Sequence, residues 1–343
     1  MSWLVQPRLI NGPTDDPGLY LDFRFGRRAM LFDLGDLGPL SARELMRVSH
    51  AFVSHTHMDH VAGFDRLLRV CLHRPSPLVL VGPPDFIEQV DHRFRSFTWN
   101  LLDETSNDFR LQVMEFDGQR LERASIFCAR ERFRRRDLDP PDLGPGLVLR
   151  EENLRVEAVV LDHGIPSLGF ALREDIRVNV QRGSLEELGL PVGPWLNVAK
   201  RAARTSLPDD HLVDIPGHAP VALGTLREWV FRMGPGQSIV YVTDAAPSPA
   251  NRQAITAFAR NADQLFIEAA FSAADRKLAQ ATRHLTAQDA GEIASEAGVR
   301  NLAVFHHSAR YLADPAALRR EALAAFHQAG VGRRRLLESR PTQ

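Results

Sequence analysis

The stretch Ala51-Phe52-Val53-Ser54-His55-Thr56-His57-Met58-Asp59-His60 decides how this chain reads. Its first four residues are a short apolar run of the kind a buried strand uses, and they deliver the chain directly into three histidines and an aspartate. Apolar residues then recur at helical spacing over 61–70, so the histidine-rich turn sits between a strand end and a helix start. Loops in that position are where rigid scaffolds hold catalytic groups. Zinc takes imidazole nitrogen and carboxylate oxygen as ligands, and two histidines one residue apart on a turn can converge on one ion. His55 and His57 meet that requirement. Asp59 and His60 follow at once and can serve a second, adjacent ion, the arrangement that two-metal hydrolysis needs.

Outward from this turn, residues 19–25 and 29–33 are β-rich and joined by Gly26-Arg27-Arg28, which predicts a hairpin. Strands are expected at 78–81, 112–116, 154–161 and 169–172, with a helix over 84–94. From Ser238 strand and helix alternate: 239–243, 252–259, 265–267, 287–297, 302–305 and 315–329. Two mixed sheets between helices fit this order. Between the halves, 174–220 carries Leu188-Gly189-Leu190-Pro191-Val192-Gly193-Pro194-Trp195 and then Lys200, Arg201 and Arg204. Its Gly and Pro punctuation and its length suit a functional arm better than a connecting loop. The expected organisation is one domain over 1–343 with this arm inserted.

The 343 residues carry 42 basic and 43 acidic side chains, so the field of the whole molecule does not draw nucleic acid, and a polyanion must be met locally. The densest basic runs, Arg130-Glu131-Arg132-Phe133-Arg134-Arg135-Arg136 and Arg333-Arg334-Arg335, read as solvated faces. Cys71 and Cys128 have no CxxC partner, which excludes a disulfide framework and a cysteine zinc site. No segment has the apolar length of a membrane span or the pattern of a signal peptide, so the expectation is a cytoplasmic protein with no membrane partner.

HxHxDH resembles the signature of the metallo-β-lactamase superfamily. Downstream, His163 follows Ala158-Val159-Val160-Leu161-Asp162, Asp244 follows Ile239-Val240-Tyr241-Val242-Thr243, and His306 follows Leu302-Ala303-Val304-Phe305. Within the superfamily the chain resembles ribonuclease Z, the family that trims the 3′ trailer from precursor tRNA. Four pieces carry the resemblance: His163-Gly164-Ile165-Pro166-Ser167-Leu168-Gly169-Phe170, the Gly-Pro segment ending at Trp195, Arg283-His284-Leu285-Thr286, and His306-His307-Ser308-Ala309-Arg310-Tyr311. Two positions depart from it. Ile267 stands where the family usually has a histidine, and Asp36-Leu37-Gly38 where it has Glu-Gly-Thr.

The resemblance implies an α/β metallo-β-lactamase fold, an αββα four-layer sandwich with an inserted arm. It implies two Zn2+ ions, His55, His57 and His163 on one, Asp59, His60 and His306 on the other, and Asp244 bridging; the same ligands accept Mn2+ or Fe2+. A bridging carboxylate needs two oxygens, which aspartate has. Hydroxide generated on the metals is then the nucleophile, with His284 as general acid, Glu268 behind it, and Asp59 able to accept a proton. Gly193, Pro194, Lys200 and Arg201 become the substrate-binding candidates of a tRNA-gripping arm, and a homodimer is implied. The competing readings are a phosphodiesterase of the same site acting on a cyclic nucleotide or other small diester, a lactone or thioester hydrolase, and a non-catalytic RNA-binding scaffold. The last predicts erosion of the ligand set, and none of the seven candidates is eroded.

Overall fold

Side chains alternate across a strand, so each strand here must satisfy two different neighbours. In the strands Ala29–Phe32 and Val48–Phe52, Ala29, Leu31 and Ala51 pack with Leu67, Leu68, Phe86, Ile87 and Val90 of the helices Phe64–Cys71 and Phe86–Arg95. Phe32 and Phe52 project to the opposite face and meet a second sheet: Phe32 lies 5.4 Å from Phe170 and 5.7 Å from Tyr241, ring centre to ring centre. In that second sheet Val240, Val242, Leu265 and Ile267 turn away from the aromatic layer, toward Ile255, Ala290, Ile293 and Leu318 of the helices Pro249–Phe258, Ala287–Ala297 and Ala317–Glu338. The order is helix, sheet, sheet, helix. Each fully buried phenyl ring contributes roughly 1.5–3 kcal/mol, and this aromatic layer is what joins the two sheets.

The computed structural model describes residues 3–24, 26–181 and 183–338, with side chains of the last helix described to 328. Among the described residues, the first sheet has eight strands in chain order. Its central strands Ala29–Phe32, Val48–Phe52, Leu78–Gly82 and Arg110–Phe116 are parallel. The second has six, running Leu302–Phe305, Gln264–Glu268, Ser238–Val242, Pro166–Glu174, Leu154–Asp162, Leu147–Arg150. No described helix is long and apolar enough to cross a membrane. Both cysteines are buried and unbridged.

A second compact unit comprises Glu151–Arg155 and Arg173–Gln237, with Trp3 and Leu4. It reaches beyond 220 because the strand Phe231–Pro235 pairs antiparallel with Ile176–Val180, closing the excursion with a two-stranded ribbon. The unit has its own core, in which Trp195, Leu196 and Ala199 of the helix Trp195–Arg204 pack with Val178, Leu226 and Phe231.

The hairpin expected around Gly26-Arg27-Arg28 is present, Leu19–Phe23 pairing with Ala29–Phe32; Phe25 lies outside the described residues. The strand expected at 51–54 ends at Phe52, since Val53 and Ser54 already turn toward the site. The helix expected over 61–70 is two helices, Met58–Val61 and Phe64–Cys71. The break falls at Gly63, whose N–H donates to the Leu34 carbonyl at 2.8 Å. A Cβ on Gly63 would come within 2.3 Å of the Gly35 carbonyl oxygen. Gly63→Ala is therefore expected to cost about 1–3 kcal/mol through forced displacement of that backbone. The midpoint of urea unfolding at constant m-value measures it.

Candidate active site

As the chain leaves the sheet at Phe52, Ser54 donates its backbone N–H to Asp33 Oδ1 at 2.7 Å. The other Asp33 oxygen faces the Ser54 hydroxyl, His60 Nδ1 and the Tyr241 hydroxyl, each at 2.9 Å. A buried carboxylate accepting from Nδ1 fixes that nitrogen as the N–H and leaves Nε2 to face the site. Nε2 of His60 lies 3.5 Å from Asp59 and 3.5 Å from Asp244. His55 is fully buried beside it, while His57, exposed, directly precedes the short helix Met58–Val61.

The remaining ligand candidates arrive at strand ends. His163 follows the strand Leu154–Asp162, and its Nδ1 donates to the Arg283 carbonyl at 2.9 Å, turning Nε2 inward. Gly164 follows in the left-handed region at φ +82° with the Arg283 guanidinium lying close above it. Asp244, two residues past Ser238–Val242, is the centre of the cluster. Its Oδ2 lies 3.6 Å from His55 Nε2, 3.5 Å from His60 Nε2 and 3.5 Å from His163 Nε2, and its Oδ1 lies 3.3 Å from His306 Nδ1.

Donor atoms of His55, His57, His163 and Asp244 lie within 4.8 Å of one another, and so do those of Asp59, His60 and His306. Asp244, Glu268, His284 and His306 form a third such group. His55 Nε2, His60 Nε2 and His306 Nδ1 are buried without a hydrogen-bond partner. Leaving one such group unsatisfied costs about 1–3 kcal/mol, so three converging on carboxylates form a set that cations satisfy. The titration behaviour agrees. Burial and the nearby His60 push the His55 pKa down to about 2, so it is neutral, with a lone pair to offer. Burial opposes charge on Asp59 and Asp244, yet hydrogen bonding from His306 holds Asp59 at about 2, and His306 and His60 hold Asp244 well below the usual carboxylate range. Burial likewise opposes charge on His60, but Asp244 and Asp33 raise its pKa well above the ordinary value: that field asks for positive charge, which a proton or a cation can supply.

Beside the cluster, Glu268 ends the strand Gln264–Glu268, on the face opposite buried Ile267. Its Oε1 accepts the N–H groups of Ala245 and Leu285, and Oε2 accepts from His284 Nδ1 at 2.9 Å. With its oxygens so engaged, Glu268 orients His284. The loop is fixed further by a capping box, in which Thr286 and Asp289 bond reciprocally to start the helix Ala287–Ala297. The His284 ring centre lies 4.9 Å from that of His163 and 5.6 Å from that of His306, so it flanks both half-sites.

Gly193, Pro194, Lys200 and Arg201 belong to the second unit, where Pro194 begins the helix Trp195–Arg204 and Arg201 pairs with Glu152 at 2.8 Å. The basic run over 130–136 is tied down locally, Arg135 to Glu88 and Asp137, Arg136 to Glu131. The side chains of Arg333, Arg334 and Arg335 lie outside those described. Sequence reasoning placed Asp33 only at the end of an expected strand and missed its bond to His60; it also missed the parts of Ser54, Tyr241 and the Arg283 carbonyl.

No protein-family model matches the chain. Among curated proteins it is 32% identical to ribonuclease Z of Deinococcus radiodurans, over 90% of this chain and 91% of that one. The chain belongs to the ribonuclease Z family. It is a hydrolytic nuclease of the metallo-β-lactamase fold. Other family members are similar over comparable spans: ribonuclease Z of Natronomonas pharaonis at 31% identity (87% of this chain, 83% of that one) and of Brevibacillus brevis at 28% (86% and 80%). Among solved structures, the metallo-β-lactamase fold protein YhfI of Bacillus subtilis superposes with a TM-score of 0.53 at 16% identity, over 94% of this chain and 92% of its own.

Asp33→Asn keeps the volume but replaces a charged double acceptor with an amide, loosening His60. Divalent-metal affinity is expected to fall about 10–100-fold, measured by competition with a chromophoric chelator, with the far-UV circular dichroism unchanged.

Proposed function

We propose that this chain is a dinuclear metal-dependent endonuclease that removes the 3′ trailer from precursor tRNA. The observation that carries the reading is the His284–Glu268 pair, set against a cluster whose donor groups suit two cations. His55, His57 and His163 would hold one ion and Asp59, His60 and His306 the other, with the Asp244 carboxylate shared between them; Zn2+ fits the donors, as do Mn2+ and Fe2+. Bound there, such ions supply a water nucleophile at neutral pH and stabilise charge on phosphoryl oxygens.

The chain's own groups do the rest. Burial disfavours the His284 imidazolium, but the carboxylate of Glu268 outweighs it and raises the pKa to about 9. At neutral pH the imidazolium is therefore populated and can donate a proton to a leaving 3′ oxygen. Asp59, partly exposed and ionised, is read as the group that would accept a proton from the nucleophilic water. The Arg283 guanidinium, half exposed beside His163, lies 3.6 Å from the Asp162 carboxylate. Lys200 and Arg201, behind the Gly193-Pro194 turn, are read as contacts to tRNA phosphates. The reading carries with it a cytoplasmic homodimer.

His284→Ala is expected to lower kcat on precursor tRNA by about 10²–10⁴-fold with metal content unchanged. Single-turnover cleavage beside elemental analysis checks this, and full activity in the variant would contradict the role. Lys200→Ala combined with Arg201→Ala should raise KM for precursor tRNA several-fold and flatten its salt dependence, because two phosphate contacts are lost. Equal KM and equal salt slope would remove the arm from substrate binding.

A further inference from the structure

The loop joining the strands Val5–Leu9 and Leu19–Phe23 is bonded to the ligand cluster at two points. Its base is closed by the Ile10 N–H, which donates to the Gly18 carbonyl at 2.9 Å. The Pro13 carbonyl accepts the N–H of His307, the residue after His306, at 2.6 Å, and the Pro17 carbonyl accepts the Gly35 N–H at 3.1 Å. At Gly35 the loop meets the metal-binding turn. A Cβ there would come within 2.8 Å of the Asp59 carbonyl oxygen and 2.9 Å of the Asp16 carbonyl carbon, so these two backbones face each other across a residue without a side chain. Asn11 braces the loop from within, its amide donating to the carbonyls of Asp16 at 2.7 Å and Asp36 at 2.8 Å.

This bracing leaves the Asp16 side chain uncommitted. Half-buried, its carboxylate takes part in no hydrogen bond or ion pair among the described residues. It lies in the field of the group formed by Asp59, His60 and His306: burial and then the Asp59 carboxylate push its pKa up, while His60 and His306 pull it down. A partly buried carboxylate without a direct partner, set beside another carboxylate, works against folding and marks a functional position.

We propose that Asp16 reads a ribose hydroxyl beside the scissile phosphate and so favours RNA over DNA as the strand that is cut. The proposal rests on the phosphodiesterase reading above and names a specificity-determining residue for it. An ionised carboxylate only accepts hydrogen bonds, and so do the oxygens of a phosphodiester, so Asp16 has no attractive contact with the phosphate itself. The donor that RNA carries next to each internucleotide phosphate, and that DNA lacks, is the 2′-hydroxyl. A hydrogen bond to an ionised acceptor is roughly twice as strong as a neutral one, which gives the contact its power to discriminate. Asp16 stands outside the ligand set, on a separate and rigid loop, so it selects the sugar without holding an ion.

The test compares precursor RNA that is ribose throughout with RNA carrying a single 2′-deoxynucleotide immediately 5′ or immediately 3′ of the cut, for the wild type and for Asp16→Ala. In the wild type, kcat/KM is expected to fall about 10–100-fold for a deoxynucleotide on one side of the cut. In Asp16→Ala the ribo-to-deoxy ratio should approach one, with the metal content by elemental analysis unchanged. A wild-type ratio near one at both positions, or an undiminished ratio in Asp16→Ala, would overturn the assignment. So would loss of an ion from the variant, which would make Asp16 a ligand. The same ratio is taken between the dinucleotide UpU and its analogues with a 2′-deoxy sugar in either nucleoside. These dinucleotides test the hydroxyl contact without requiring tRNA to be the substrate, so failure of the tRNA reading shows as lost cleavage of precursor RNA with the dinucleotide ratio intact.

Discussion

Everything at the functional end of this protein is arranged around one buried carboxylate. Asp244 lies within 3.3–3.6 Å of imidazole nitrogens from His55, His60, His163 and His306, which come from three separate chain segments. A carboxylate so far from water is stabilised by positive charge beside it, which protons on His60 and His306 or bound cations can supply. The fold therefore builds a place where cations are wanted. It does so at the strand ends of both sheets, which the aromatic layer around Phe32, Phe170 and Tyr241 holds in contact.

The same layer explains how the ligands keep their orientation. Tyr241 serves twice: its ring packs between the sheets, and its hydroxyl reaches Asp33, which in turn holds His60. Backbone carbonyls do the corresponding work elsewhere, that of Arg283 for His163. Strand alternation puts Ile267 into the helix-facing core and Glu268 toward the site. Ile267 thus points away from the chemistry, while Glu268 holds His284.

How much of this was legible depended on sequence distance. His55 to His60 lie in six consecutive residues, so their convergence could be read directly, whereas His163, Asp244 and His306, each after an apolar run, stood out only through the family resemblance. Asp33 and His60 meet only because the strands Ala29–Phe32 and Val48–Phe52 pair in parallel, and Tyr241 reaches Asp33 across 208 residues; no local pattern announces either. The helix break at Gly63 depends on the distant Gly35 carbonyl, and the end of the second unit on the pairing of Phe231–Pro235 with Ile176–Val180. Periodicity reports which face a residue prefers, and these features depend on which partner it finds.

The central claim is that this cluster is a shared two-cation site organised by Asp244. Equilibrium dialysis of the purified chain against a divalent metal, with elemental analysis of bound ions, tests it most directly. The account predicts two ions bound per chain in the wild type, with both affinities reduced in Asp244→Ala because the shared ligand serves each. A stoichiometry of one or none, or an Asp244→Ala variant that binds both ions as tightly as the wild type, would contradict it.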